Sequence, residues 1–265
     1  MTPADENLQQ LAWYQRQIIY QPLGLAGQKK LSAARVLQVG VGGLGSWTAE
    51  LLARAGVGML RLVDDDRVDP TNLHRQSMYT ARHAETKAPK VSAAAEQIAS
   101  FAPQVQLDVR RQRLGPDNAE SLAEGVDLIL DGTDNFRGRF MVNDLAVKTN
   151  TPWVFAGVVG AEAQIMTIVP GRTLCLRCVL PAEPPPCSDP TCCSVGVLGP
   201  AVAAVASRQA FEAIKILSGN IEAIDPCLTK FDLWRNTYQR IDLSARGPDR
   251  DCPCCGQGEW EFLRP

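Results

Sequence analysis

Apolar and polar positions follow two alternating rhythms along the chain. Residues 36–40, VLQVG, form an apolar run that stops at glycine and leads through VGGLGS into WTAELLARAG, where Trp47, Leu51 and Ala55 recur at helical spacing. The pattern predicts a strand, a tight turn and a helix. MLRLVD at 59–64 is a second apolar run ending on acidic residues, and APKVSAAAEQIASF from Ala88 predicts another helix. VQLDV, a short helix near 117–124 and the apolar run of VDLILDGTDN follow. Strands alternating with helices predict a doubly wound, Rossmann-like α/β fold with a mostly parallel sheet, whose ligands collect beyond the carboxyl ends of the strands. PWVFAGVVG and AEAQIMTIV then read as strands, and PAEPPPCSDP as an exposed crossover that proline excludes from helix or central strand. Residues 198–217 predict a long, largely buried helix. CLTKFDLW and TYQRIDL predict a C-terminal antiparallel hairpin ahead of CPCCG. No repeat or second domain is visible, so one domain over 1–265 is expected.

Composition narrows the function. A formal net charge of −2 on 265 residues gives no polyanion-binding footprint, so no nucleic-acid partner is expected. The N-terminus has no basic region followed by an apolar run, and no stretch approaches the roughly 18 apolar residues of a membrane span. A cytoplasmic protein without a membrane partner is the expectation. In a reducing compartment the nine cysteines read as metal ligands or nucleophiles before disulfides.

Gly40, Gly42 and Gly45 satisfy G-x-G-x-x-G between strand and helix, and Asp64 follows Gly45 by 19 positions. Such glycines let a backbone approach a phosphate or ribose closely, and the acid can accept ribose hydroxyls. The fingerprint indicates an adenosine nucleotide and is equally compatible with a nicotinamide dehydrogenase. Asp64, Asp66, Asn72, Arg75 and Gln76 around one strand end, with Lys90 after them and Asp134 and Asn135 at the next end, favour a polyphosphate and its Mg²⁺. The only histidines are His74 and His83, so no catalytic His–Asp pair is apparent.

Cys175-Leu-Arg-Cys178 and Cys252-Pro-Cys254-Cys255 each contain C-x-x-C, the knuckle that places two thiolates on one tetrahedral Zn²⁺. Two knuckles predict one closed structural site built by Cys175, Cys178, Cys252 and Cys255, with Cys254 as bystander; a redox pair is the alternative for either knuckle alone. Cys227, at a predicted strand start, reads as a core thiol.

In order along the chain, YQRQI at 14–18, GVGGLG, AGVG at 55–58, the DDD and NLHRQ segment, APK, DGTDN, the C-x-x-C pairs, GVLGP and FEAIKILSG resemble the ThiF/MoeB/HesA adenylyltransferases related to ubiquitin-activating enzymes. The resemblance covers nearly the whole chain. Trp13 stands where relatives usually carry arginine, and Gly132 where many have cysteine. It implies a homodimer that uses Mg·ATP to adenylate the C-terminal glycine carboxylate of a ubiquitin-like sulfur carrier, releasing pyrophosphate. It divides the domain into an N-terminal segment 1–30, a nucleotide-binding half 31–150 and a carrier-binding half 151–265 with a crossover loop at 179–197. Residue by residue, it implies that Gly43 and its neighbours approach the nucleotide and Asp64 holds the ribose. Asn72, Arg75 and Lys90 would contact phosphates, Asp134 would bear Mg²⁺, and Arg16 would reach the partner subunit's ATP. Cys192, four residues before Gly196, matches a loop cysteine able to bond the carrier covalently; Cys187 and Cys193 are its rivals. With no rhodanese-like extension after the second knuckle, persulfide sulfur is expected from a separate protein. Adenylation of a peptide or a modified tRNA, a nicotinamide oxidoreductase and a non-catalytic scaffold are the alternatives.

Overall fold

The computed structural model of the chain describes residues 11–184, 195–244 and 247–264. Two helices, α1 (Gln15–Ile18) and α2 (Gly24–Ala33), precede β1 (Arg35–Val39). Then come α3 (Gly43–Ala55), β2 (Met59–Val63), α4 (Ala81–Glu85), α5 (Lys90–Phe101), β3 (Gln106–Arg110), α6 (Ala119–Ala123) and β4 (Leu128–Asp131). The chain continues through α7 (Phe136–Lys148), β5 (Trp153–Val159), β6 (Glu162–Ile168), α8 (Leu176–Val179), α9 (Gly199–Leu217), β7 (Cys227–Asp232) and β8 (Thr237–Asp242).

The sheet runs β3-β2-β1-β4-β5-β6-β7-β8; the first five strands are parallel and the last three antiparallel. This is the doubly wound α/β fold with its antiparallel extension. Period-two geometry sends alternate side chains of the parallel strands to opposite faces, and both faces are apolar. Val36, Leu60, Leu62, Leu128 and Val154 pack against Leu52 of α3, Ile98 of α5 and Val205 of α9. Leu37, Val39, Ile129, Trp153 and Phe155 meet Val142 and Leu145 of α7. β8 is exposed along its whole length at the sheet's edge. Among the described residues no helix is long and apolar enough to cross a membrane.

Between β1 and β4 the winding reverses, and a crevice opens at their carboxyl ends. The next pair, β4 and β5, shares only two register positions. Gln209 of α9 joins them, its Nε2 donating to the carbonyls of Asp131 (2.9 Å) and Val154 (2.7 Å). The polar pattern of 136–148 does not mark a helix in the sequence, yet α7 forms there. Its start is capped by Asn135 Oδ1, which accepts Gly138 N–H at 2.8 Å. Arg139, Asn143 and Asp144 are buried on its inner face, where a solvent-facing reading of charged residues places none.

Candidate functional site

The glycine-rich turn after β1 is built by backbone contact. Gly40 has φ +77°, and a Cβ there would lie 2.7 Å from the Gly132 carbonyl oxygen, so the β1 and β4 turns touch. A Cβ on Gly45 would stand 1.9 Å from Gly40 O, which makes glycine the one residue that lets α3 meet the strand end. Beneath them Gln38, fully buried in β1, donates Nε2 to Gly40 O at 3.0 Å and accepts Thr48 Oγ1 at 2.7 Å. At the open side, α3 begins at Gly43 with no side-chain cap, leaving first-turn N–H groups to an anion. Gly42 and Gly43 face Gln76 and Arg75: built Cβ atoms would lie 3.9 Å from Gln76 Nε2 and 4.0 Å from Arg75 Cδ.

Asp64, at the end of β2, is oriented by two main-chain donors. Oδ2 accepts Val41 N–H at 2.7 Å and Oδ1 accepts Asp66 N–H at 2.8 Å. Burial raises its carboxyl above the ordinary carboxylate range, against the pull of Lys90 and both N–H donors. Lys90, the first residue of α5, is buried and reaches Asp66 Oδ2 with Nζ at 2.7 Å. Asn72 Oδ1 accepts Gln76 Nε2 at 3.1 Å, and the buried Gln76 Oε1 has no protein partner among the described residues. Arg75 is fixed at its carbonyl by Trp47 Nε1 (3.1 Å) and holds its guanidinium on Thr71 O (3.0 Å) and His74 Nε2 (2.7 Å).

At the neighbouring β4 end, Asp134 and Asn135 are exposed, and Asn135 Nδ2 donates to Asp134 Oδ1 at 3.1 Å. The fully buried Asp131 accepts Thr133 N–H (2.9 Å) and Oγ1–H (2.6 Å) and faces Arg139 at 3.7 Å. Burial raises its carboxyl above the usual range against the attraction of Arg139. Oxygen atoms of Asp64, Asp65 and Asp66 lie within 4.8 Å of one another. The residues present fit Mg·ATP: a glycine cradle at an uncapped helix start, an unpartnered buried carbonyl, a buried ammonium and converging carboxylates. Arg16 is exposed and forms no ion pair among the described residues; its neighbour Gln17 is anchored to Ala55 O (2.9 Å) and Gln28 Oε1 (2.6 Å). Cys187, Cys192 and Cys193 lie outside the described residues.

On the α7 face of the sheet the two knuckles meet. The sulfurs of Cys175, Cys178, Cys252 and Cys255 lie within 4.8 Å of one another, with Cys175–Cys178 at 3.7 Å, Cys175–Cys252 at 3.6 Å and Cys178–Cys255 at 3.3 Å. Four thiols drawn together without a disulfide are the donor set of a closed tetrahedral zinc site, and they fit one. The neighbouring thiol of Cys178, ahead of the other thiols, lowers the Cys175 thiol below the ordinary range.

The ThiF family description matches residues 14–254. The chain belongs to the ThiF family. It is 39% identical over 250 residues to the sulfur carrier protein ThiS adenylyltransferase of Bacillus subtilis, covering 94% of this chain and 73% of that one. Against the sulfur carrier protein adenylyltransferase of Thermus thermophilus it is 35% identical, covering 94% and 92%. Against the adenylyltransferase and sulfurtransferase of Culex quinquefasciatus it is 35% identical, and it spans 56% of that relative's length. Its fold is that of Escherichia coli MccB with succinimide, at TM-score 0.76 and 21% identity over 92% of this chain and 74% of that one. This ThiF-family chain is thus an adenylyltransferase, and ATP use follows from that.

Several residues around the candidate site were not singled out from the sequence. Gln38 left a signal, a polar residue inside an apolar strand run. Asp131, the first residue of DGTDN, marked a strand end but no site role, and Arg139 left no signal, because one arginine in a polar segment reads like any charged surface residue. Arg113, beside Asp65 at 3.3 Å, also feels Asp66 and Asp134, and it follows β3 with no motif around it.

Proposed function

We propose that this enzyme uses Mg·ATP to adenylate the C-terminal glycine carboxylate of a ubiquitin-like sulfur carrier, releasing pyrophosphate. One observation carries the reading most: the glycine turn, Asp64, Lys90, Gln76 and Arg75 converge on a single crevice in a chain whose relatives include adenylyltransferases named for sulfur carriers. Asp64 accepts the ribose hydroxyls, while Gly42, Gly43 and the start of α3 offer N–H groups to the phosphates. Lys90, Arg75 and Asn72 neutralise the triphosphate, and Arg16 completes that clamp from the partner subunit of a homodimer. Asp134 would hold Mg²⁺, which screens phosphate charge when bound.

The carrier's carboxylate, with an ordinary pKa of about 3.3–3.7, arrives ionised at neutral pH. Its oxygen bonds to the α-phosphorus as the bond from that phosphorus to the bridging oxygen breaks, and pyrophosphate leaves with that electron pair. No proton moves, so no general base is required. The cationic clamp stabilises charge building on the departing phosphates. The sulfur of a separate persulfide donor then bonds to the acyl carbon as its bond to the adenylate oxygen breaks and AMP leaves; Cys192 is the residue able to take the acyl group by the same displacement on the way. The four cysteines hold a structural Zn²⁺, and the setting is the cytoplasm.

Carrier-dependent ATP–pyrophosphate exchange tests the proposal, using ubiquitin-like proteins ending in Gly-Gly. Exchange with such a carrier, lost in Asp134→Ala, is the expected result. Absence of exchange with every such carrier, together with wild-type nucleotide binding by Asp134→Ala, refutes it.

A further inference from the structure

The peptide between Gly40 and Val41 is held from both sides. Its N–H, on Val41, donates to Asp64 Oδ2 at 2.7 Å, and its carbonyl, on Gly40, accepts Gln38 Nε2 at 3.0 Å; no other donor reaches that oxygen among the described residues. A trans peptide points these two groups in opposite directions, so whatever fixes one aims the other. Glycine at φ +77° has no side chain to fix them itself. Gln38 is fully buried, and because Gly40 O can only accept, the amide turns its nitrogen to that oxygen and its own oxygen to Thr48. Thr48, equally buried on α3, donates Oγ1–H there at 2.7 Å, nearer than its helical acceptors Leu44 O (3.2 Å) and Gly45 O (3.3 Å).

We infer that Gln38, braced by Thr48, is a positioning residue of the nucleotide crevice: it locks the Gly40–Val41 peptide so that Val41 N–H meets Asp64 and presents that carboxylate to the ribose. The inference rests on the reading of Asp64 as the ribose acceptor. A reversed peptide would turn the Gly40 carbonyl oxygen toward Asp64 Oδ2, setting a partial negative charge against a carboxylate. Asp66 N–H, at 2.8 Å on Oδ1, would then hold that carboxylate alone. An apolar side chain at position 38, in keeping with the strand run around it, would leave Gly40 O without a donor and remove the bias toward the productive orientation. Gln38 touches no reacting atom; it acts through Asp64.

Calorimetric binding of ATP and of 2′,3′-dideoxy-ATP to the full chain tests the inference in Gln38→Met and Thr48→Val, each checked by circular dichroism. The wild-type chain should bind ATP about 10-fold or more tighter than the dideoxy nucleotide, the worth of hydrogen bonds to a charged acceptor. Gln38→Met keeps the length of the side chain and removes the donor; it should weaken ATP while leaving the dideoxy nucleotide within about twofold, so that the preference falls to about threefold or less. Thr48→Val removes only the brace and should lower the preference part of the way. Wild-type preference in either variant overturns the inference, as does equal weakening of both nucleotides, which would assign the effect to packing. Thr48→Val, the milder change, keeps the test decisive if Gln38→Met fails to fold. A wild-type chain that binds both nucleotides equally refutes the ribose reading of Asp64 itself, a separate outcome from the others.

Discussion

Replacing Lys90 with methionine separates chemistry from stability in a single variant. The Lys90 side chain is 8% exposed, and its only ion pair among the described residues is with Asp66, whose side chain is 58% exposed. Methionine keeps the aliphatic stem within the start of α5 and removes the ammonium. Folding loses one partly screened ion pair and recovers the cost of burying a charge, so the net change in unfolding free energy is expected to stay within about 1 kcal/mol. Transition-state stabilisation has no such offset: a fixed cation lost from a site of developing phosphate charge costs about 2.7–4 kcal/mol, or about 10²–10³ in rate. Urea denaturation reads the first quantity and carrier-dependent pyrophosphate exchange the second. Exchange within about threefold of wild type, with unchanged KM for ATP, would refute the assignment of Lys90 to the phosphates. A large loss of stability would instead show that the Lys90–Asp66 pair is structural.

Other expectations follow from individual contacts. Gly45→Ala should lose ATP binding and about 3 kcal/mol or more of stability in urea melts, since its Cβ would meet Gly40 O at 1.9 Å; Gly115→Ala, with nothing within 4 Å, is the neutral control. For Asp225, burial raises the carboxyl but the hydrogen bonds of Arg240, Cys227 and Thr229 win and lower it, so it stabilises the fold above the ordinary carboxylate range and loses that contribution as pH falls through its depressed value. Asp225→Asn should flatten the acid limb of urea midpoints measured between pH 7 and pH 3 (about those values, by linkage), and an unchanged limb would disprove the assignment. Arg16→Ala and Lys90→Met should each be inactive in exchange, yet mixing them should restore about a quarter of wild-type activity through mixed dimers with one intact site; no recovery despite subunit exchange would remove Arg16 from the partner's site.

The fold was largely legible because strands buried on both faces leave near-continuous apolar runs. β1, β2 and β4 carry hardly any exposed side chain, and each ends at a glycine or an acid where the chain leaves the sheet. The proposed nucleotide residues stood out for a related reason: Asp64 is polar at the point where an apolar run stops, and Asp134 follows the end of the next run in DGTDN. Helix α7 was not legible, since the residues that identify its inner face are polar. Arg139 is turned inward by Asp131, Asn143 by Leu176 N–H and Cys254, and Asp144 by Phe262 N–H and Arg177. Each partner is distant in sequence, so no local period records it. The cysteine spacing predicts that the two pairs share one site, as the four-sulfur cluster has it, but not the Asn143 contacts to Leu176 N–H and Cys254 that lie beside it.

Those inward polar residues make α7 the element that the proposed nucleotide end and the proposed metal end share. Its first turn is tied to the β4 end through the Asn135 cap and the Arg139–Asp131 pair, and Asn143 and Asp144 hold the knuckles about 12–14 Å further along at 1.5 Å per residue. Removing the metal takes the constraint from one end only. Loss of the metal–sulfur bonds should loosen Leu176, Cys254 and the Phe262 segment, and with them the partners of Asn143 and Asp144. The first turn keeps its own cap and ion pair. In metal-stripped protein, amide exchange should therefore accelerate across 143–148 before 136–139, while ATP affinity changes little. Equal acceleration along the helix, with matched loss of ATP binding, would mean that α7 moves as a rigid unit and that the metal centre governs the nucleotide site directly.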